Sequence, residues 1–147
     1  MSSMSTRERI PTQMSHEKFI YFELTNEDKA ELEANFDSAG EYLVYTDETA
    51  ERVVKGQILS MLWVFDPYFL AGETGLPAEV FSYMQEKLGS DCNDVILTLI
   101  RSTCGESKYV NSVVTSDGRG YFIATYDRDE QMFTTKSGKV VYVYRIN

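Results

Sequence analysis

Histidine and cysteine are scarce in this chain, and their scarcity argues against several kinds of catalytic site. The 147 residues include one histidine, His16, and two cysteines. A Ser–His–Asp or Cys–His arrangement needs a histidine in the folded region, and His16 lies in a polar N-terminal segment, so neither is expected. Cys92 and Cys104 would lie about 18 Å apart on one helix, too far for a disulfide, which predicts two reduced thiols.

Long apolar runs and cofactor motifs are also missing. No apolar run approaches the ~20 residues of a membrane span, and the N-terminus carries no apolar signal segment. We therefore expect a cytoplasmic protein with no membrane partner. HExxH, CxxC, GxGxxG and Walker patterns are absent, so we expect no metal ion and no cofactor.

Basic residues are outnumbered by acidic ones. The chain has 14 Lys and Arg against 23 Asp and Glu, for a net charge of −9. The excess is uneven, at about −7 over residues 19–55 and about +1 over residues 106–147. Proteins that read nucleic acids normally carry the opposite sign, whereas an acidic region suits a basic protein partner.

The first half of the chain alternates between strand and helix patterns. Aromatic and β-branched residues predict a strand over residues 18–24. Thr25 can cap a helix, with Asp28 three residues on as in a capping box, which predicts a helix over residues 26–36. EYLVYT predicts a second strand over residues 41–46.

The strongest helical period follows Thr46. Apolar residues recur every three or four positions from Ala50 to Phe65, which predicts a helix over residues 47–65. The acids in its first turns have a structural reason, because a helix N-terminus favours negative charge. Trp63 is predicted to lie in the core.

The second half contains helices and then strands. An apolar stripe predicts a helix from Cys92 to about Thr103, and residues 109–115 favour a helix. The glycine-rich residues 116–120 lack the phosphate-binding pattern and predict a turn that enters a strand. Strands are predicted over residues 121–126, 132–135 and 139–146, the last apolar on both sides, as in a central strand.

Together these patterns predict one α+β domain. Apolar content of 43% and aromatic content of 13% indicate a folded protein. We expect a disordered tail over residues 1–17 and a single domain over residues 18–147. That domain is predicted to be a mostly antiparallel sheet of about five strands, with four to five helices packed on one face.

Residues 66–88, DPYFLAGETGLPAEVFSYMQEKL, predict two helices joined by a tight turn. Asp66 and Pro67 begin the first helix, Gly75 ends it, and Pro77 permits a second. The pattern resembles the helix-turn-helix of DNA-binding regulators. No lysine or arginine occupies the outward positions of the second helix, which are Ala78, Glu79, Ser82, Tyr83, Gln85 and Glu86, so this surface is expected to repel phosphates.

Four segments carry a second resemblance: FDPYFLAGETGLPAEVF, NDVILTLI, DGRGYFIATYDRDE and the YVYRIN ending. From about Leu62 to Asn147 the chain resembles a set of small proteins of bacteriophages and mobile elements that have no assigned activity. The resemblance implies a phage setting and no mechanism.

These observations favour a phage-type inhibitor without enzymatic activity. It would bind a host protein with a basic surface, such as a nuclease or CRISPR effector, in the host cytoplasm, and would present carboxylates in place of phosphates. Anti-defence proteins that mimic nucleic acid act in this way, and no direct nucleic-acid contact is expected. The candidate partner-binding residues are Glu27, Asp28, Glu31, Glu33, Asp47, Glu48 and Glu51, with Arg119 as a contact for an anion or carboxylate.

Three alternatives come from other classes. The first is a transcriptional regulator that uses the hairpin of residues 66–88. The second is a carboxylate-based, metal-dependent enzyme. The third is an accessory domain whose charge only keeps it soluble.

Overall fold

The computed structural model describes residues 19–21 and 24–147. The tail predicted over residues 1–17 lies outside the described residues. The chain divides into two compact units. The sheet unit comprises the described residues up to Glu51 together with Arg119–Asn147, and the helical unit comprises Arg52–Gly118. A single domain over residues 18–147 therefore stays a prediction.

One four-stranded mixed sheet forms the centre of the sheet unit. Its strands are β1 (Phe19–Tyr21), β2 (Tyr42–Tyr45), β3 (Glu130–Thr134) and β4 (Val140–Arg145), in the order β1-β2-β4-β3. β1 and β2 are parallel, and the other two pairs are antiparallel. Helix α1 (Asn26–Asn35) makes the crossover that a parallel pair requires. The internal position of β4 confirms the prediction of a central strand.

Helix α1 packs on the first face of the sheet. It begins as predicted, because the Thr25 hydroxyl accepts a hydrogen bond from the Asp28 amide. Leu32 is its fully buried apolar residue. The core that Leu32 joins consists of Phe19, Tyr42, Val44, Val141 and Val143, all from the strands.

The second face of the sheet is also covered. Leu43 and Tyr144 are register partners on this face, and both are buried. Arg119 of helix α7 (Arg119–Ile123) lies over the ring of Tyr142, with 4.7 Å from its guanidinium carbon to the ring centroid. The prediction that the helices pack on one face is therefore wrong, since α1 and α7 contact opposite faces.

Helices replace most of the glycine-rich segment and the first half of the strand predicted after it. Helix α6 (Glu106–Asp117) ends at Gly118, and α7 begins at the next residue. The predicted turn over residues 116–120 and the predicted strand over 121–126 are both wrong, and the described sheet has four strands where about five were expected. Six residues rich in aromatic and β-branched types are too few to distinguish a strand from one helical turn.

The helical unit begins with most of α2 (Asp47–Ser60) and ends with α6. Between them lie two 3-10 turns and three helices, namely Leu62–Val64, α3 (Pro67–Thr74), α4 (Ala78–Leu88), Gly89–Cys92 and α5 (Asn93–Ser102). Cys92 and Cys104 are free thiols, as predicted. Cys92 is buried, and burial raises its pKa.

Helix α2 ends five residues before the predicted boundary at Phe65. Asn93 provides the reason, because its side-chain nitrogen donates to the Leu59 carbonyl at 2.9 Å and its oxygen accepts from the Trp63 amide at 3.1 Å. These two bonds satisfy backbone groups at the helix end. The indole of Trp63 is 36% exposed, so its predicted core position is wrong.

The prediction of two helices joined by a tight turn over residues 66–88 is confirmed. The Asp66 carboxylate accepts from the Tyr68 amide at 2.9 Å, with Pro67 at the first helical position. Gly75 ends α3 in the left-handed conformation, with a φ of 80°. Leu70 and Phe81 are fully buried and anchor the two helices.

Gly120 provides a test of the packing between α7 and the segment before β3. A Cβ at this position would lie 2.6 Å from the Glu130 nitrogen and 2.7 Å from the Asp129 carbonyl carbon, and backbone cannot move away cheaply. We expect Gly120→Ala to lower the free energy of unfolding by about 1–3 kcal/mol, measured by urea denaturation.

Gly56→Ala is the matched control. Gly56 lies within α2, and a Cβ there would meet nothing within 4 Å. Alanine should stabilise this helix by about 0.5–1 kcal/mol. Equal effects of the two substitutions would contradict the close backbone approach at Gly120.

Candidate acidic binding surface

All eight residues predicted to bind a partner lie in the sheet unit. Four of the acids contact the C-terminal part of the chain, and three others have exposed side chains. The contacting acids are Asp28, Glu31, Asp47 and Glu51, and the exposed ones are Glu27, Glu33 and Glu48.

Two acids of α1 hold the turn between β3 and β4. Asp28 is only 4% exposed, and its carboxylate accepts from the Ser137 hydroxyl at 3.0 Å. Both carboxylate oxygens of Glu31 accept from the Lys136 amide, at 3.0 and 3.2 Å. These contacts give Asp28 and Glu31 a structural role in fixing the hairpin.

Two acids of α2 belong to an ionic cluster around Arg119, which we call the Arg119 cluster. Its Nη1 lies 2.9 Å from the Asp47 carboxylate and 3.0 Å from that of Glu51. Its Nε lies 2.7 Å from the carboxylate of Glu130 at the start of β3. The guanidinium also stacks on Tyr142, so its charge is compensated on several sides.

In the Arg119 cluster the cation is buried and two of the carboxylates are exposed. Arg119 is 8% exposed, whereas the side chains of Asp47 and Glu51 are 67% and 53% exposed. Burial alone would lower the pKa of Arg119, but its hydrogen bonds to Glu130 and Asp47 raise it above its ordinary value. One cation therefore faces three carboxylates, and the outer surface keeps a net negative charge.

Tyr144 completes the inner side of the cluster. It is fully buried, and its hydroxyl donates to the Glu130 carboxylate that Arg119 also contacts. Burial and the bond to Glu130 raise the pKa of Tyr144. A neutral donor at this position suits a carboxylate that already accepts from a guanidinium.

Arg119, Asp47 and Glu51 were predicted from the sequence, but not as neighbours of one another. Glu130 and Tyr144 were not predicted. The signal for Arg119 was a lone cation between glycines in an acidic protein. The local pattern holds no signal for Glu130, which follows three other charged residues, Asp127, Arg128 and Asp129. Long-range strand order brings these residues together, and a pattern within a few residues does not encode it.

A cavity of about 250 Å³ opens elsewhere in the sheet unit, near the end of α1. We call it the acidic cavity. Three aspartates and one arginine are its charged residues, and Phe36, Tyr42 and Val143 are apolar or aromatic. The full lining is Asn35, Phe36, Asp37, Tyr42, Asp127, Asp129, Gln131, Val143 and Arg145.

The outer face of α4 is acidic and aromatic. Glu79, Ser82, Tyr83 and Glu86 are exposed, and the Lys87 ammonium lies 5.9 Å from the centroid of the Tyr83 ring. The position that a recognition helix would use for DNA therefore carries two carboxylates beside a single lysine.

Metal and membrane features were sought in the same described residues. Residues 19–21 and 24–147 hold no group of three or more His, Cys, Asp or Glu side chains arranged to hold a metal ion. Over the same ranges, every helix is too short or too polar to cross a membrane.

Replacing Arg119 with an uncharged residue of similar length tests its role in the cluster. We expect Arg119→Met to lower the free energy of unfolding by about 1–3 kcal/mol, because Glu130 loses its ion pair and the Tyr142 ring its guanidinium contact, while Asp47 and Glu51 stay hydrated. Urea denaturation at neutral pH measures the change.

Arg101→Met is its control, because Arg101 is an exposed arginine that pairs with Glu106. We expect no measurable loss of stability for this variant, since exposed ion pairs contribute little. Equal losses of stability in the two variants would show that the burial of Arg119 does not increase its contribution to the free energy of unfolding.

Comparison with family models, with curated proteins and with solved structures gives no match to this chain. The fold and the contacts of the described residues are therefore the basis of the functional argument.

Proposed function

We propose that this chain is a small acidic binding protein that inhibits a host protein by occupying its basic surface. The observation that carries the proposal is the Arg119 cluster. There a buried cation fixes three carboxylates, and those of Asp47 and Glu51 stay more than half exposed.

Fixed carboxylates make a better binding surface than mobile ones. Asp47 and Glu51 lie four residues apart on α2, so their side chains are neighbours about 5–6 Å apart at Cβ. Their bonds to Arg119 restrict their rotamers before any partner arrives, and this lowers the entropy lost on binding. Glu48 adds a further exposed acid on the same helix.

The fixed, exposed carboxylates of Asp47 and Glu51 resemble neighbouring phosphates of a nucleic-acid backbone in their charge. Proteins that bind nucleic acid carry lysine and arginine along a groove to neutralise phosphates. Such a groove on a host nuclease or CRISPR effector is the partner that fits this surface best. The resemblance of residues 62–147 to phage and mobile-element proteins implies a phage setting and no mechanism, so the choice of partner rests on charge alone.

Charge reversal tests this surface. The variant Glu27→Lys with Glu48→Lys changes two exposed acids that have no structural bond to the hairpin or to Arg119. Glu31 is left unchanged because it accepts from the Lys136 amide. We expect the double variant to lose capture of the host partner in a pull-down at low and moderate salt, and to lose inhibition of that partner in a nuclease assay.

The control changes the charge by the same amount on another surface. Glu79→Lys with Glu86→Lys alters two exposed acids of α4 in the helical unit. We expect this control to keep both capture and inhibition. Loss of binding in the α4 variant, with binding kept in the Glu27 and Glu48 variant, would overturn the proposed surface.

A DNA-binding regulator is the second candidate, because α3 and α4 are two helices joined by a tight turn whose sequence resembles a helix-turn-helix. We expect no mobility shift of a labelled duplex at low salt, even at about 100 µM protein. Non-specific DNA binders have Kd values of about 10⁻⁶–10⁻⁴ M, and the carboxylates of Glu79 and Glu86 oppose phosphate contact. A salt-sensitive shift that Lys87→Gln weakens would favour the regulator instead.

A further inference from the structure

The acidic cavity lies where the first sheet face meets the end of α1. Tyr42 and Arg145 are register partners on adjacent strands, as are Gln131 and Val143, and all four residues line the cavity. Asn35 is the last residue of α1, so this helix ends at the cavity.

The cavity has a net negative charge. Asp37, Asp127 and Asp129 bring three carboxylates, against the single cation of Arg145. That cation is already engaged, because its Nη1 lies 3.5 Å from the Asp37 carboxylate and its guanidinium lies 4.0 Å from the centroid of the Tyr126 ring. Its Nε also donates to the Asn147 carbonyl at 2.9 Å. The carboxylates of Asp127 and Asp129 are then the ones left for a ligand. The cavity therefore favours a cationic ligand.

The end of α1 is a second reason to expect a positively charged ligand. A helix C-terminus carries partial negative charge, which a basic residue in the last turn often offsets. The last turn of α1 contains no basic residue. A cation bound in the cavity would offset the negative charge at the end of α1 in place of that basic residue.

The size of the cavity restricts the ligand further. At about 250 Å³ it is smaller than the ~300–1,000 Å³ of pockets that enclose small molecules, and it suits one long side chain. Phe36 provides an aromatic wall, on which a planar guanidinium stacks while its N–H groups reach carboxylates. The Tyr42 ring is 3% exposed and already stacks on Phe19, so it forms only the floor of the cavity.

We propose that the acidic cavity receives the guanidinium of one arginine side chain from the partner protein. This inference rests on the proposed function, since it takes the partner to be a basic protein. Arginine is enriched among the residues that dominate binding at interfaces, where it fills pockets of this kind. The cavity would then make a specific contact with one arginine of the partner. The Arg119 cluster would attract the partner's basic surface as a whole.

The probe for this site is Nα-acetyl-arginine amide, titrated into the whole chain labelled with ¹⁵N. We expect saturable shifts of the Asn35, Asp129 and Gln131 amides. Nα-acetyl-citrulline amide has nearly the same shape without the charge and should cause none. Nα-acetyl-lysine amide should bind more weakly, because it lacks the planar fork.

Asp129→Asn is the variant that tests the cavity directly. Within the described residues the Asp129 carboxylate accepts no hydrogen bond, so the fold should tolerate the change. We expect the affinity for arginine amide to fall about threefold to fivefold, as for removal of one exposed ion pair. Asp117→Asn, which removes an exposed aspartate of the helical unit, is the control and should bind as the unmodified chain does.

The outcomes separate this inference from the proposed function. Equal shifts with arginine and citrulline amides, no saturation with arginine amide, or tighter binding of lysine amide would overturn the guanidinium site. Each can occur while charge reversal at Glu27 and Glu48 still abolishes partner binding. Saturable arginine binding that Asp129→Asn weakens would support the cavity even if that charge reversal had no effect.

Discussion

The burial of Arg119 among three carboxylates is the constraint on which the sheet unit depends. A guanidinium removed from water needs compensation on every side, and Asp47, Glu51, Glu130 and the Tyr142 ring provide it. These partners come from α2, β3 and β4, so one side chain fixes three elements against α7. The same contacts fix the orientation of carboxylates that water still reaches.

The fold uses part of the acidity that the sequence displays. Asp28 and Glu31 hold the hairpin turn, and Asp47 and Glu51 hold Arg119. Each of these contacts joins the acidic segment of residues 19–55 to the more basic segment of residues 106–147. The net charge of about −7 over residues 19–55 therefore overstates how many carboxylates remain for a partner. Those that remain are fewer, and their positions are better fixed.

Local chemistry made several elements predictable. Thr25, Asp66 and Gly75 mark helix ends through their own side chains or backbone freedom, and β4 is apolar on both sides because it is internal. Two of the failures share one cause. The end of α2 depends on Asn93, more than thirty residues away, and the Arg119 cluster joins residues about seventy positions apart. Tertiary contacts determine these features, and a sequence pattern of a few residues does not encode such contacts.

The strand order β1-β2-β4-β3 has a consequence for biosynthesis. β2 pairs with β4 in a register that joins Tyr42 to Arg145, so the ribosome must add about a hundred residues before β2 gains its antiparallel neighbour. Until then the edge of β2 that β4 covers in the finished sheet stays unpaired. The helical unit is synthesised during that interval, and its contacts are local enough to form first. Translation thus delivers the helical unit before the sheet that carries the acidic surface can close.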